Sequence, residues 1–270
     1  MLTFVPTPIG NPQDITFRAM KLFEKTEIFL CEDTRHTKHL LRLLEERFGM
    51  LYPDAEFYSF NEHNGKERLA QFGPLLNSKE IVYVSDAGMP VISDPGQLLV
   101  AYCQQERITY DVLPGASAVT AAYAASGFEE GKFLFFGFLP HKGSPRSSAL
   151  SEAMYSGYPT VLYEAPHRLE KLLKEIIAID PNRELFLAKE MSKKFQTYYK
   201  DTAKNLHVQL ENSTIRGEWA VVIGAKKHKE KSLSFDEILA LDLPPKPKAK
   251  LLAKLSDKSI KEWYEILLKK

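Results

Sequence analysis

The chain is predicted to fold as two α/β domains followed by a small helical appendage, and three observations carry that expectation. Short β-branched or aromatic runs repeatedly stop at a polar or Gly/Pro-rich loop and give way to a helical pattern. A second group of apolar runs begins near Phe133 with a helix of its own. From Lys226 onward the chain turns lysine-rich and helical. With 270 residues, the expected boundaries are 1–115, 116–225 and 226–270, normal sizes for domains and a tail.

Leu2-Thr3-Phe4-Val5 reads as the first strand, which leaves no room for a signal peptide, and it stops in the rigid loop Pro6–Pro12. A helix is expected over Asp14–Phe23 with Asp14 as its N-cap. Ile28–Cys31 is a second strand running into the polar cluster Glu32-Asp33-Thr34-Arg35-His36-Thr37, then a helix through Leu40, Leu41 and Leu44. Phe57–Phe60 is a third strand, ending in Asn61-Glu62-His63-Asn64. The fourth, Ile81–Val84, breaks at Ser85-Asp86-Ala87-Gly88, and Pro90, Pro95 and Gly96 stiffen the rest of that loop. Small residues at a strand's carboxyl end let a ligand approach the backbone closely. Ile108–Leu113 is the fifth strand, leading through Pro114-Gly115 into an alanine-rich helix that Gly127 ends.

The second domain starts with the apolar strand Phe133–Leu139 and a basic, mobile-looking loop, Pro140–Arg146. Further strands are expected at Thr160–Glu164, Glu184–Ala188 and Glu218–Gly224. Between them His167–Ile177 is amphipathic, with Leu169, Leu172, Leu173 and Ile176 at helical spacing. A charged linker, Lys226–Lys231, precedes two short helical patterns. In the last, Ser259 and Glu262 match a capping box, and Ile260, Trp263, Tyr264 and Leu267 share one face.

Hydrophobic residues make up 44% and charged residues 26% of the chain, ordinary for a globular protein with a real core. No apolar run approaches the ~20 residues of a membrane span. The two cysteines, Cys31 and Cys103, lack metal-ligand spacing and read as reduced thiols, so a cytoplasmic location is expected. Residues 226–270 hold twelve Lys and seven acidic residues, against a slightly acidic body. That asymmetry suits either a polyanionic partner or a solvated tail. No P-loop, no G-x-G-x-x-G after the first strand, no G-x-S-x-G elbow and no zinc spacing is present, so no metal site is expected.

Pro6-Thr7-Pro8-Ile9-Gly10-Asn11, Glu32–Thr37, Ser85–Gly96, Pro114–Ala118 and Tyr163-Glu164-Ala165-Pro166-His167-Arg168 together resemble the tetrapyrrole methylase superfamily, the class III methyltransferases, in its ribosomal-RNA-modifying branch. The resemblance spans Leu2 to about Ile223, with a helical C-terminus beyond. It implies S-adenosylmethionine bound in a cleft between the two domains. By that similarity the cofactor-binding residues are Pro8, Ile9, Asp86, Ala87, Gly88, Met89, Ile92, Ser93, Ser117, Ala118, Tyr163, Ala188 and Ala220. Met89 departs from the Thr that many members carry.

The reaction implied is 2′-O-methylation of a cytidine ribose in the decoding region of small-subunit (16S) rRNA, by a homodimer acting on the small ribosomal subunit. A ribose hydroxyl is a poor nucleophile while protonated, so a general base helps. The candidates are Asp33, His63, Glu62, Lys189 and Glu190. Arg35, His36, His141, Lys142, Arg146, His167 and Arg168 are the candidate RNA contacts. Structural readings stand beside these: Asp33 and Arg35 as a helix cap and local ion pair, His63 as a turn residue, Lys189 as an edge or phosphate-contacting residue. Two other functions remain open, a tetrapyrrole methyltransferase and a noncatalytic RNA-binding module.

Overall fold

A computed structural model describes residues 1–61, 63–211, 213, 215–226, 235–256 and 258–268. Glu62 and, apart from Lys226, the charged linker expected at 226–231 lie outside the described residues. Contacts divide the chain into a larger unit, Met1–Lys227, and a smaller one, His228–Lys270.

In the first half of the larger unit, strands β1 (Leu2–Phe4), β2 (Ile28–Cys31), β3 (Glu56–Ser59), β4 (Ile81–Val84) and β5 (Tyr110–Val112) alternate with helices α1 (Phe17–Phe23), α2 (Thr34–Phe48), α3 (Gly65–Phe72) and α4 (Gln97–Gln105). The strand order is β3-β2-β4-β1-β5, and every pairing is parallel. β1, β2 and β4 are buried along their whole length. Helices cover both faces of such a sheet, so its central strands are continuously apolar rather than alternating.

Asp14 is not the N-cap expected of it. Pro12–Asp14 forms a separate 3-10 turn capped by Asn11, and Thr16 caps α1 through a 3.0 Å bond from the Ala19 amide to its hydroxyl. Asp14 instead accepts a hydrogen bond from the Ser192 hydroxyl.

The second half contains α5 (Ala118–Ser126), β6 (Leu134–Phe138), α6 (Gly143–Tyr155), β7 (Thr160–Glu164), α7 (Pro166–Ile179), β8 (Glu184–Lys189), β9 (Thr197–Thr202), α8 (Ala203–Glu211) and β10 (Trp219–Ile223). Its sheet runs β6-β7-β10-β8-β9; β6 pairs parallel with β7, and the other pairings are antiparallel. Leu169, Leu172, Leu173 and Ile176 of α7 are all buried against one sheet face. Gly127 closes α5 in the left-handed conformation.

The loop expected over Pro140–Arg146 is only partly a loop, because α6 begins at Gly143. Gly-Ser-Pro reads as loop sequence, yet a helix's first turn tolerates Pro. Leu150, Ala153 and Met154 then bury the helix. Arg146, expected to face RNA, is 2% exposed: its guanidinium bonds both Glu175 oxygens, Glu164 and the Pro140 carbonyl. Arg168 joins the same network, 2.9 Å from Glu164 and donating to the Leu139 carbonyl at 2.6 Å.

The smaller unit packs α9 (Phe235–Ala240), α10 (Pro245–Ala253) and α11 (Ile260–Leu268) around Ile238, Ala249, Leu252 and Trp263. The capping box is formed, with the Ser259 amide on Glu262 at 2.7 Å and the Glu262 amide on the Ser259 hydroxyl at 3.3 Å. α9 is a third helix where the sequence predicts two, and Tyr264 is exposed rather than sharing Trp263's buried face. Among the described residues no helix is long and apolar enough to cross a membrane.

Candidate active site

Because β1, β2 and β4 are parallel neighbours, the loops leaving their carboxyl ends converge, which is where open α/β sheets bind ligands. Thr7 and Gly88 tie two of these loops through reciprocal 3.0 Å backbone bonds. Gly88 sits at φ 80°, a conformation that disfavours other residues. Above the loops lies a cleft of about 490 Å³. Its opposite wall is a row across the second sheet: Tyr163, Ala220 and Ala188 are register partners on β7, β10 and β8. Two alanines beside one aromatic ring leave an open, apolar shelf.

Of the thirteen positions expected to hold a cofactor, Ile9, Asp86, Ala87, Ile92, Ser93, Ala118, Tyr163, Ala188 and Ala220 line this cleft. Pro8, Gly88, Met89 and Ser117 stand beside it in the chain without lining it; Gly88 holds the loop bridge, and Ser117 precedes α5. The cleft also takes residues that sequence reasoning did not assign. Glu32 sits inside a motif whose neighbouring Asp33, Arg35 and His36 offer the more conspicuous chemistry. Asp94, Met191, Glu218 and Trp219 join only through the fold, and Phe138 is hidden in an apolar run that resembles core.

Carboxylates dominate the polar side. Glu32 is half-buried, and its Oε2 accepts the Asp86 amide at 3.2 Å. Burial raises its pKa, and the Asp86 and Asp94 charges add to this against the Asp86 amide. Asp94 is likewise raised by burial, although its Oδ1 accepts the Gly96 amide and the Tyr83 hydroxyl at 2.8 and 2.9 Å. Asp86 accepts the Asp33 amide at 3.1 Å, and its Oδ2 lies 3.0 Å from His36 Nδ1.

The expected bases fare differently. Asp33 caps α2 and is clasped by the Arg35 side chain at 2.5–3.2 Å, which holds its carboxyl far below the usual range. Such a carboxylate is a poor proton acceptor, and the cap and ion-pair reading accounts for both residues. His63 is exposed, lies outside the cleft lining, and donates its amide to Asn61 in a turn. Lys189 lies 5.7 Å from the Trp219 ring. For Glu190, burial would raise the pKa, but the Glu218 amide at 2.8 Å and Lys193 at 3.1 Å outweigh it and lower it.

Among the candidate RNA contacts, Arg35, His36, His141, Lys142 and His167 are exposed, whereas Arg146 and Arg168 serve the internal network. His167 lines a separate cavity of about 240 Å³ with His207.

Comparison with known proteins agrees with this architecture. The solved structure of a cobalamin biosynthetic enzyme, cobalt precorrin-4 methyltransferase, superposes with a TM-score of 0.61 at 18% identity, covering 83% of this chain and 94% of that one. A uroporphyrin-III C-methyltransferase from Thermus thermophilus, complexed with S-adenosyl homocysteine, gives 0.56 at 14% identity, covering 82% and 96%. The fold is that of the class III methyltransferases. Residues 1–207 match the family described as Tetrapyrrole (Corrin/Porphyrin) Methylases. A "Ribosomal RNA small subunit methyltransferase I" from Campylobacter fetus subsp. fetus is 47% identical over 99% of this chain and 100% of its own length. The chain belongs to the tetrapyrrole methylase family, in its ribosomal RNA small subunit methyltransferase I branch.

Proposed function

We propose that this chain transfers a methyl group from S-adenosylmethionine to the 2′-hydroxyl of a cytidine in the decoding region of small-subunit rRNA. The observation that carries the reading is the end-to-end similarity to a relative named for methylating small-subunit rRNA. The same reading makes the small ribosomal subunit the partner and implies a cytoplasmic homodimer.

The cleft's donor set suits the cofactor. Its acidic side offers acceptors for an ammonium group and ribose hydroxyls, and the Ala188–Ala220–Tyr163 shelf suits a flat heterocycle. At Gly88, φ 80° and an added Cβ 3.2 Å from Ile9 both favour glycine in the close backbone turn at the cleft. S-adenosylmethionine supplies a methyl group already activated on a sulfonium. The protein's remaining tasks are to align the ribose hydroxyl and to take its proton, and alignment alone accounts for much of such a rate.

Glu32 is the residue we assign as base. It lines the cleft, and its Oε2 is held by the Asp86 amide. A raised pKa makes it a stronger acceptor than an ordinary carboxylate. The decisive assay is transfer of labelled methyl to unmethylated small subunits, followed by nucleoside analysis, with free rRNA and a reduced tetrapyrrole in parallel. Labelled 2′-O-methylcytidine is the expected product. Label in the tetrapyrrole, or no cofactor binding, would overturn the reading.

A further inference from the structure

β6 carries an irregularity with a consequence for the cleft. It pairs with β7 as Leu134↔Thr160 and Phe135↔Val161, then slips so that Gly137 faces Leu162 and Phe138 faces Tyr163. Side chains alternate along a strand, so in regular pairing Phe138 would point away from Phe135. The bulge at Phe136 reverses that. Phe135 and Phe138 both meet the Tyr163 ring, with centroids 5.1 and 5.6 Å away. Bulges recur beside active sites because they re-aim a side chain in this way.

The re-aimed ring is also held in place. Gly137 adopts φ 63°, open to glycine at little cost, and a Cβ there would meet Ser93 Oγ at 3.1 Å. Immediately after Phe138, Leu139 is buried, and the Leu139 and Pro140 carbonyls accept Arg168 and Arg146 at 2.6 and 3.1 Å. Both arginines are locked on Glu164. Between these anchors Phe138 remains 56% exposed at the cleft. Single exposed apolar residues are ordinary, and Phe17 and Phe195 are more exposed still. Phe138 differs from them because a bulge, a left-handed glycine and the anchored arginines Arg146 and Arg168 together present it at the cleft.

We propose that Phe138 is the platform on which the base of the target nucleotide stacks while its ribose enters the cleft. The inference rests on the RNA-methylating reading above. Proteins that select a nucleotide in RNA receive its unstacked base on an aromatic face, and here Tyr163 meets the Phe138 ring at a tilt of 57° while that ring stays 56% exposed. The deeper Ala188–Ala220 shelf is left for the cofactor.

The test uses the full-length protein and unmethylated small subunits. Phe138→Ala should raise KM for the subunit roughly tenfold or more, the worth of one base–aromatic stack, while the dissociation constant for S-adenosylmethionine stays unchanged. Phe138→Trp should keep the KM of the unaltered protein, and the added indole emission should be quenched on subunit binding, a signal a packing role would not produce. An unchanged KM in Phe138→Ala, with the unaltered protein active, would overturn this inference alone. So would a weakened cofactor affinity with normal subunit KM, which would assign the ring to the cofactor's adenine. Absence of transfer by the unaltered protein would remove the proposed function and this inference with it.

Discussion

The two sheets of the larger unit treat buried carboxylates in opposite ways. On the second sheet Glu164 is fully buried and enclosed by Arg146 and Arg168, with Glu175 completing the group. On the first, burial pushes up the pKa of both Glu32 and Asp94, with like charge adding to it at Glu32, and among the described residues no lysine or arginine forms an ion pair with either. A buried charge with its partners is scaffold, costly to break but chemically quiet. A partly buried carboxylate without a cation, facing a cleft, is poised to exchange a proton. On the proposed function, the difference separates carboxylate charge that holds the scaffold from carboxylate charge that can exchange a proton at the cleft.

The largest effect should come from Glu32→Gln. General-base removal costs about 10²–10⁴-fold in rate, so kcat should fall by that order while thermal unfolding stays near that of the unaltered protein. Arg146→Met should do the reverse. It removes one of the two arginines on Glu164 and the Arg146 bonds to Glu175 and the Pro140 carbonyl, a loss of buried polar partners that should cost about 1–3 kcal/mol, and calorimetry or denaturant melts should show it. A large kcat loss in Arg146→Met without destabilisation would break the comparison. Asp33→Asn sharpens it on the first sheet itself: an asparagine still caps α2, so activity should stay within a few-fold. The smallest change is expected in the other unit, where Ser259→Ala removes the capping box and should cost α11 about 1 kcal/mol, visible as faster amide exchange in Ile260–Leu268.

Much of the fold was legible because its signals are local. The runs at Ile28, Ile81 and Thr160, the α7 stripe and the Gly127 stop all report nearest-neighbour chemistry. β9 was not legible: Thr197–Thr202 is an exposed edge strand, half polar, with little apolar content to mark it. α6 was masked by Gly-Ser-Pro at its start. In the site, the family resemblance pointed to Asp86 and Ala87, which line the cleft, while the small and polar residues after β4 marked the loop as one a ligand can approach. The role of Arg146 could not be read, since its burial depends on Glu164 and Glu175, eighteen and twenty-nine positions away. Nor could the contrast between Glu32 and its neighbour Asp33. Arg35 reaches back to Asp33 at the start of α2, whereas Glu32 lines the cleft beside the Asp86 amide.

The measurement closest to the central claim is the pH dependence of kcat/KM for methyl transfer to unmethylated small subunits, taken on the unaltered protein, Glu32→Gln and Asp33→Asn together. A base works only when deprotonated, so activity should rise with pH through the folded pKa of Glu32, which burial sets above the ordinary carboxylate range. This acid limb should be present in the unaltered protein and in Asp33→Asn, and absent from the residual activity of Glu32→Gln. An acid limb that survives in Glu32→Gln and disappears in Asp33→Asn would contradict the assignment of Glu32 as the base.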